Sequence, residues 1–193
     1  MKRTAGSLAI LALAAAAAPA NAQGVTSGTV TIEGTVGEKC IVTDAGDVPS
    51  PDFGGLISLG ALDDTDGTLR DIGTIAASSN LDDLGFRVVC TTASPLVSVT
   101  ADPMVNPGGS ATGGYANTVH FTADANFFVV GGTDTFQVVT DGTDTNGGTL
   151  SNRLATGPDN VQIDLSNFHT PGTADVLTSG TYTGTVSITI SPN

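Results

Sequence analysis

The sequence contains no tryptophan and only two tyrosines, two histidines and two cysteines among its 193 residues. Aromatic side chains that could line a sugar-cleaving cleft are therefore scarce. A metal centre or catalytic thiol lacks companions, because there is no Cys-x-x-Cys pair. The Gly-x-Ser-x-Gly turn of many hydrolases is also missing. These absences predict a protein that is not an enzyme and that binds no cofactor.

Basic residues are almost as rare: six lysines and arginines face 19 acidic residues, for a formal net charge of −13. Nucleic acids and anionic membranes attract basic patches, so neither is expected as a partner. A surface this acidic repels its own copies until a specific contact overcomes the repulsion.

The first 22 residues have the pattern of a signal peptide. Lys2 and Arg3 precede an apolar stretch from Leu8 to Ala18, and Ala20-Asn21-Ala22 is a small-x-small cleavage site. The apolar stretch is shorter than the roughly 20 residues that a membrane-spanning helix needs. We therefore expect the protein to be exported without insertion into a membrane. The residues after the leader are expected to form a single domain.

After this leader the chain shows strand periodicity and no helical periodicity. Gly, Asp, Asn and Pro separate the short strand signals. Alternation or apolar runs predict strands around Leu56–Leu62, Leu84–Cys90, Val97–Ala101, Val119–Phe121, Phe127–Val130, Phe136–Val138, Val161–Leu165 and Tyr182–Ile190. Residues 102–117 and 140–159 are predicted to be exposed loops. Many short strands with turns between them favour an all-β sandwich.

The residues directly behind the leader form one more strand signal. Alternate positions from Gly28 to Val36 are apolar or glycine, and Thr29, Thr31, Glu33 and Thr35 occupy the other face. Such a strand either pairs within its own domain or completes the sheet of a neighbouring molecule. Its N-terminal position, set apart by Gly37-Glu38-Lys39, favours donation to a neighbour.

Cys40 and Cys90 are an even pair in a chain expected to be exported, which predicts one disulfide bond. Such a bond closes the loop from Cys40 to Cys90, and closing a loop of that length stabilises the fold by about 4 kcal/mol in the chain-entropy estimate.

The Asp-rich turns at Asp63–Gly67 and Asp141–Gly147 offer oxygen atoms for calcium, but neither has the donor spacing of an EF-hand loop. Solvated turns are the favoured interpretation, and an irregular calcium site is the alternative. His120 and His169 show no motif that would assign them to catalysis.

Taken in order, these segments resemble a pilus subunit of the chaperone–usher class. The leader precedes Gly-Thr-Val-x-Ile-x-Gly-x-Val and then Cys40. Ser58-Leu59-Gly60, the strand ending at Cys90 and the final Gly180-to-Ile190 segment follow. The start is similar to type 1-like major subunits, whereas the spacing around Cys90 and the ending are similar to the archaic branch with spore coat protein U-like domains. The terminal Ser191-Pro192-Asn193 departs from the type 1 pattern, which usually has an aromatic near that end.

The resemblance implies an immunoglobulin-like β-sandwich over residues 40–193 that is incomplete because it lacks its final strand. Residues 23–39 would be a donor-strand extension that fills the gap in the next copy. The implied donor residues are Val30, Ile32, Gly34 and Val36, and the implied acceptor residues on the last strand are Tyr182, Val186, Ile188 and Ile190.

The implied partners are copies of the same chain, a periplasmic chaperone and an outer-membrane usher. The implied location is an extracellular fibre used for adhesion or biofilm formation. The alternative is a secreted coat or matrix protein, or a glycan-binding module, that does not polymerise.

Overall fold

The computed structural model describes residues 31–43, 49–50, 56–71 and 85–193. These residues form eleven strands and no helix. The same residues include no apolar helix long enough to cross a membrane. The predicted signal peptide and Val30 lie outside the described residues.

The strands in chain order are β1 (Cys40–Thr43), β2 (Pro49–Ser50), β3 (Gly85–Cys90), β4 (Leu96–Val105), β5 (Tyr115–Ala116), β6 (Thr118–Val129), β7 (Gly132–Val139), β8 (Thr145–Thr149), β9 (Val161–His169), β10 (Val176–Leu177) and β11 (Thr183–Ser191).

Nine strands form one antiparallel sheet in the order β11-β4-β6-β9-β3-β1-β2, with β7 also on β6 and β8 also on β4. Strands β5 and β10 make a separate parallel pair. The long strand β6 joins two layers, because its start pairs with β4 at Met104 and Val105 while the rest pairs with β9 and β7. The nine strands therefore split into a layer of β11, β4 and β8 and a layer of β2, β1, β3, β9, β6 and β7. An all-β, sandwich-like fold is confirmed.

Alternate side chains from both layers meet in one apolar core. The described members that are most buried include Val97 and Val99 of β4, Phe127 of β6, Val138 of β7 and Val161 of β9. The period-two alternation predicted for Val97–Ala101 is confirmed, because Val97, Val99 and Ala101 are buried while Ser98 and Thr100 are exposed.

The predicted strand at Leu56–Leu62 does not form. Gly60 has a positive φ of 71°, which breaks the extended path. The chain then turns back on itself, so that Asp63 bridges Leu69 and the amide of Arg70 donates to the carbonyl oxygen of Leu62 at 2.8 Å. Leu59 is buried even so.

The two predicted loops are wrong in part. Strand β4 continues into the first of them as far as Val105, and β5 lies within it. The second contains β8 and two buried leucines, Leu150 and Leu154. The sequence of β8, Thr-Asn-Gly-Gly-Thr, has no apolar alternation that would have predicted a strand.

The disulfide between Cys40 and Cys90 is confirmed. The two cysteines are directly opposite each other on β1 and β3, with Cα atoms 4.1 Å apart. The next pair along the ladder, Lys39 and Thr91, is joined by a backbone hydrogen bond of 2.9 Å from the Thr91 amide. Disulfides of this kind persist in oxidising compartments, which agrees with an exported protein.

Candidate functional site

The last strand, β11, lies at one end of the strand order and pairs with β4 over nearly its whole length. The register runs from Thr185 opposite Asp102 to Ser191 opposite Leu96. A bulge between Thr183 and Thr185 marks its start. In the part of the chain that the structure describes, no other strand pairs with β11.

The direction in which the backbone groups of β11 point can be derived from the hydrogen bonds on the opposite edge of β4. The amide of Ala101 donates to the carbonyl oxygen of Asp144, and the carbonyl oxygen of Pro95 accepts from Leu150, both at 2.9 Å. Both groups therefore point towards the β8 side. In an antiparallel ladder, a residue whose groups point away from its partner forms a non-hydrogen-bonded pair, and its partner points away as well. Val186, opposite Ala101, thus directs its N–H and C=O away from β4.

The backbone groups of every second residue of β11 point away from β4 in the same way as those of Val186. Ile188 lies opposite Val99 and Ile190 opposite Val97, so their backbone groups also point to the outer edge. The side chains of Val186, Ile188 and Ile190 point inwards, where they are half-buried against the core. Three consecutive inward-facing residues thus offer apolar surface together with main-chain donors and acceptors.

Tyr182, the fourth predicted acceptor residue, immediately precedes β11 and packs its ring against the core. Its hydroxyl oxygen lies 3.0 Å from the carbonyl oxygen of Thr178 and 2.9 Å from that of Ala116, and both are acceptors of its single proton. The hydroxyl therefore holds the chain four residues upstream. Tyr182 anchors the entry to β11, and its polar end is already engaged.

Gly184 is a residue of this site that the sequence analysis did not single out for a role. A Cβ at this position would approach the carbonyl oxygen of Asp102 and the Cγ of Met104 to 2.9 Å each. The bulge at the start of β11 brings the two strands this close, so the position requires glycine. A glycine that interrupts an apolar alternation was the available signal.

The predicted donor residues that the structure describes have no place in a strand. Residues 31–39 are irregular and exposed. The side chain of Ile32 is 91% exposed and that of Val36 is 81% exposed. Among the described residues, its two chain neighbours apart, no heavy atom lies within 4 Å of where a Cβ on Gly34 would be.

Thr91 ties down the residues that immediately precede Cys40. Its Oγ1 accepts a hydrogen bond from the Lys39 amide at 2.9 Å and lies 3.2 Å from the carbonyl oxygen of Gly37. Together with the disulfide, these contacts join the chain before β1 to the end of β3.

The two histidines are opposite each other on β6 and β9, with ring centroids 5.6 Å apart. The Nε2 of His169 donates to Asp141 at 2.9 Å and its Nδ1 donates to the carbonyl oxygen of Asn167 at 2.8 Å. The Nδ1 of His120 lies 3.3 Å from Thr140 Oγ1. The carboxylate and the hydroxyl therefore bind different imidazoles, so that no hydroxyl–His–Asp relay runs through one ring.

The hydrogen bonds of this cluster shift two pKa values. The carbonyl of Asn167, and then the Asp141 carboxylate, raise the pKa of His169, because both accept from the protonated ring. The hydrogen bond from His169 is the main cause that lowers the pKa of Asp141. The arrangement fits a doubly protonated imidazolium ring.

Side chains in the Asp-rich turns bind the backbone of the same turns. Asp66 Oδ1 accepts from the amide and hydroxyl of Thr68, at 3.0 and 2.6 Å, and Asn146 Oδ1 accepts from the Gly147 amide at 2.8 Å. The Thr68 hydrogen bonds also lower the pKa of Asp66. The described residues include no group of three or more His, Cys, Asp or Glu side chains that could hold a metal ion.

Comparisons with protein-family models, with curated protein sequences and with solved structures find no match to this chain.

Proposed function

We propose that this chain is the structural subunit of an extracellular adhesive fibre that assembles by donor-strand exchange. One observation carries the proposal: Val186, Ile188 and Ile190 offer both backbone groups and half-buried apolar side chains along an edge of β11 that no described strand covers. A strand that lies on this edge gains main-chain hydrogen bonds and fills pockets with alternate side chains.

The residues before β1 have the composition that such an edge requires. Ile32 and Val36 are apolar side chains on one face of a potential strand, and they are almost fully exposed within one copy. Val30 shares their face in the sequence. Burying each of these side chains contributes roughly 1.5–3 kcal/mol, before the cost of ordering the arm is subtracted.

An immunoglobulin-like sandwich without its last strand is the finer form of the proposed fold. Two features support it. The C-terminal strand lies at an edge of the sheet order, where a further strand would add. The Tyr182 hydroxyl also binds the carbonyl of Thr178 just before β11, as the tyrosine corner of such sandwiches does.

The donor and the acceptor are different surfaces of the same chain, so each junction leaves one free arm and one free edge. Such heterologous contacts do not close and therefore extend into a fibre.

The exposed arm and apolar edge need protection before assembly. A periplasmic chaperone and an outer-membrane usher are the partners proposed for this step, and the cell surface is the proposed location of the fibre. Adhesion or biofilm formation is the role proposed for it.

Two matched pairs of substitutions test the assembly. Ile32→Asp places a charge on the apolar face of the arm, and Thr31→Asp places the same charge on its polar face. Ile188→Asp and Ser187→Asp form the corresponding pair on β11. Fibres joined by donor strands are kinetically stable, so unheated samples in mild detergent give a ladder of multimers that collapses to one band after boiling. We expect the ladder from Thr31→Asp and Ser187→Asp and only monomer from Ile32→Asp and Ile188→Asp.

Mixing the two defective variants gives a sharper result. Ile32→Asp keeps an intact edge and Ile188→Asp keeps an intact arm, so an equimolar mixture can form one junction and no more. Dimers, without longer multimers, are expected. A ladder from Ile32→Asp alone contradicts the proposal. Monomers throughout, in the unsubstituted protein as well, favour the non-polymerising coat protein or glycan-binding module.

A further inference from the structure

The outer face of β4, β8 and β11 is covered with exposed hydroxyl side chains in aligned positions. Strand register places Ser187, Thr100 and Thr145 in one row, and Thr189 and Ser98 in the next, with Thr149 at the end of β8. We call these six residues the hydroxyl face. Neighbouring strands are about 4.8 Å apart and alternate residues about 6.8 Å apart, so the hydroxyls form a regular grid.

The hydroxyl face carries little charge in a strongly acidic chain. Asp102 is the one charged side chain among the outward-facing positions of these three strands, and its carboxylate accepts from Thr185 Oγ1 at 2.8 Å. The outer side of the other layer is different. There Asp124 of β6 lies directly opposite Asp164 of β9. Two copies of this acidic chain can therefore approach with less repulsion through the hydroxyl face than through the opposite layer.

The hydroxyls are also available to a partner. Those of Ser98, Thr100, Ser187 and Thr189 make no hydrogen bond to another described residue. Leu96, which is 46% exposed, lies at the edge of the same face and adds an apolar contact. A polar face of this kind forms weak contacts singly, but a fibre repeats it once per subunit and many weak contacts act together.

We propose that the hydroxyl face packs against the hydroxyl face of a second copy and thereby joins fibres side by side. This inference rests on the fibre assembly proposed above. A strand donated to β11 would extend the face by Thr31 and Thr35 with Glu33 between them. The carboxylates of Asp102 and of the donated Glu33 remain on this side of each subunit, so added salt should strengthen the lateral contact by screening their repulsion.

The test compares fibres shed from cells that express the unsubstituted chain, Thr100→Glu or Thr133→Glu. Thr133 is exposed on β7, in the other layer, so its variant adds the same charge away from the hydroxyl face. Electron microscopy and low-speed sedimentation measure bundling, and the detergent ladder measures donor-strand junctions separately. We expect bundles that grow with salt from the unsubstituted chain and from Thr133→Glu. We expect single fibres, with an unchanged ladder, from Thr100→Glu.

Equal bundling by the two variants, or unbundled fibres from the unsubstituted chain at all salt concentrations, overturns the lateral contact and leaves donor-strand assembly standing. Absence of the ladder from the unsubstituted chain instead overturns the assembly on which this contact rests.

Discussion

Both backbone polar groups of Val88 are bound by the side chain of Asn160. The Val88 amide donates to Asn160 Oδ1 at 2.7 Å, and Asn160 Nδ2 donates to the Val88 carbonyl oxygen at 2.7 Å. Asn160 is 1% exposed and Val88 is 2% exposed. The side chain of Asn160, just before β9 begins, thus makes the two hydrogen bonds to β3 that the backbone of a neighbouring strand would otherwise make.

Asn160→Ala should therefore destabilise the fold strongly. It leaves the N–H and C=O of Val88 buried without partners, and each unpaired group costs about 1–3 kcal/mol. We expect a loss of about 3 kcal/mol in the free energy of unfolding, measured by denaturant titration with the disulfide intact. Asn152→Ala is the control, because Asn152 also bonds to the backbone but is exposed. It should cost less than about 1 kcal/mol, and equal losses would contradict the role of burial.

Gly147→Ala should detach β8 from β4. The new Cβ would overlap the carbonyl oxygen of Val97, which is backbone and cannot move aside cheaply. We expect a loss of roughly 1–3 kcal/mol in stability and faster hydrogen exchange of the Leu150 amide, which bonds to Pro95 at the end of this strand pair. In Gly142→Ala the new Cβ has no heavy atom of a described residue within 4 Å beyond its chain neighbours, so this variant should leave both quantities nearly unchanged. Protected exchange at Leu150 in Gly147→Ala would refute the close contact.

The two tyrosines of the chain form a matched pair for testing the corner before β11. Tyr182→Phe removes the hydroxyl that binds the carbonyls of Thr178 and Ala116. A loss of about 1–2 kcal/mol in thermal or denaturant unfolding is expected, as for other partly buried hydrogen bonds. The Tyr115 side chain is 51% exposed, so Tyr115→Phe should change stability by less than about 0.5 kcal/mol. If the two variants were equally stable, the hydroxyl of Tyr182 would have no anchoring role.

The cluster of His169 and Asp141 should make stability depend on pH. The pKa of His169 is raised in the folded state, so its stabilisation is complete below the ordinary imidazole pKa of about 6.5 and is lost as pH rises through the folded pKa. The pKa of Asp141 is lowered, so its contribution is lost as pH falls through the folded carboxyl pKa. The pair therefore stabilises most between the ordinary carboxyl pKa of 3.8 and the ordinary imidazole pKa of 6.5.

Titration of the His169 ring protons by NMR measures the first of these shifts directly. The Asn167 carbonyl is the larger cause of the raised pKa and remains in Asp141→Asn. We therefore expect this variant to lower the pKa of His169 without returning it fully to the ordinary value. An unchanged pKa in Asp141→Asn would show that the carboxylate has no influence on the ring.

Much of the fold could be predicted because most strands bury one face. Val97, Val99 and Ala101 alternate with polar residues, so period-two spacing was sufficient to predict the central part of β4. Strand β8 could not be predicted in this way. Its Gly147 is explained by contact with the Val97 carbonyl, a neighbour 50 residues away in sequence, and local propensity carries no information about that contact.

The candidate site could likewise be predicted from the sequence only in part. The sequence predicts that Val186, Ile188 and Ile190 share a face, because alternation is a local property. Their position at a sheet edge and the outward direction of their backbone groups depend on the register between β11 and β4. That register joins Val186 to Ala101, and only the folded chain brings these residues together. The polar anchors Asn160 and Tyr182 likewise depend on distant partners.

The order of the strands has a mechanical consequence. Strand β1, which follows the arm, and strand β11, which would receive one, are separated in the sheet by β4, β6, β9 and β3. In a fibre under tension, the load on each subunit would enter at Cys40 and leave through β11. The bond between Cys40 and Cys90 would carry this load covalently from β1 to β3, and the chain from Cys90 to Leu96 would carry it on to β4, the partner of β11. In such a fibre the pair of β1 and β3 could not unzip under load, and the first ladder to separate would be one held by hydrogen bonds alone.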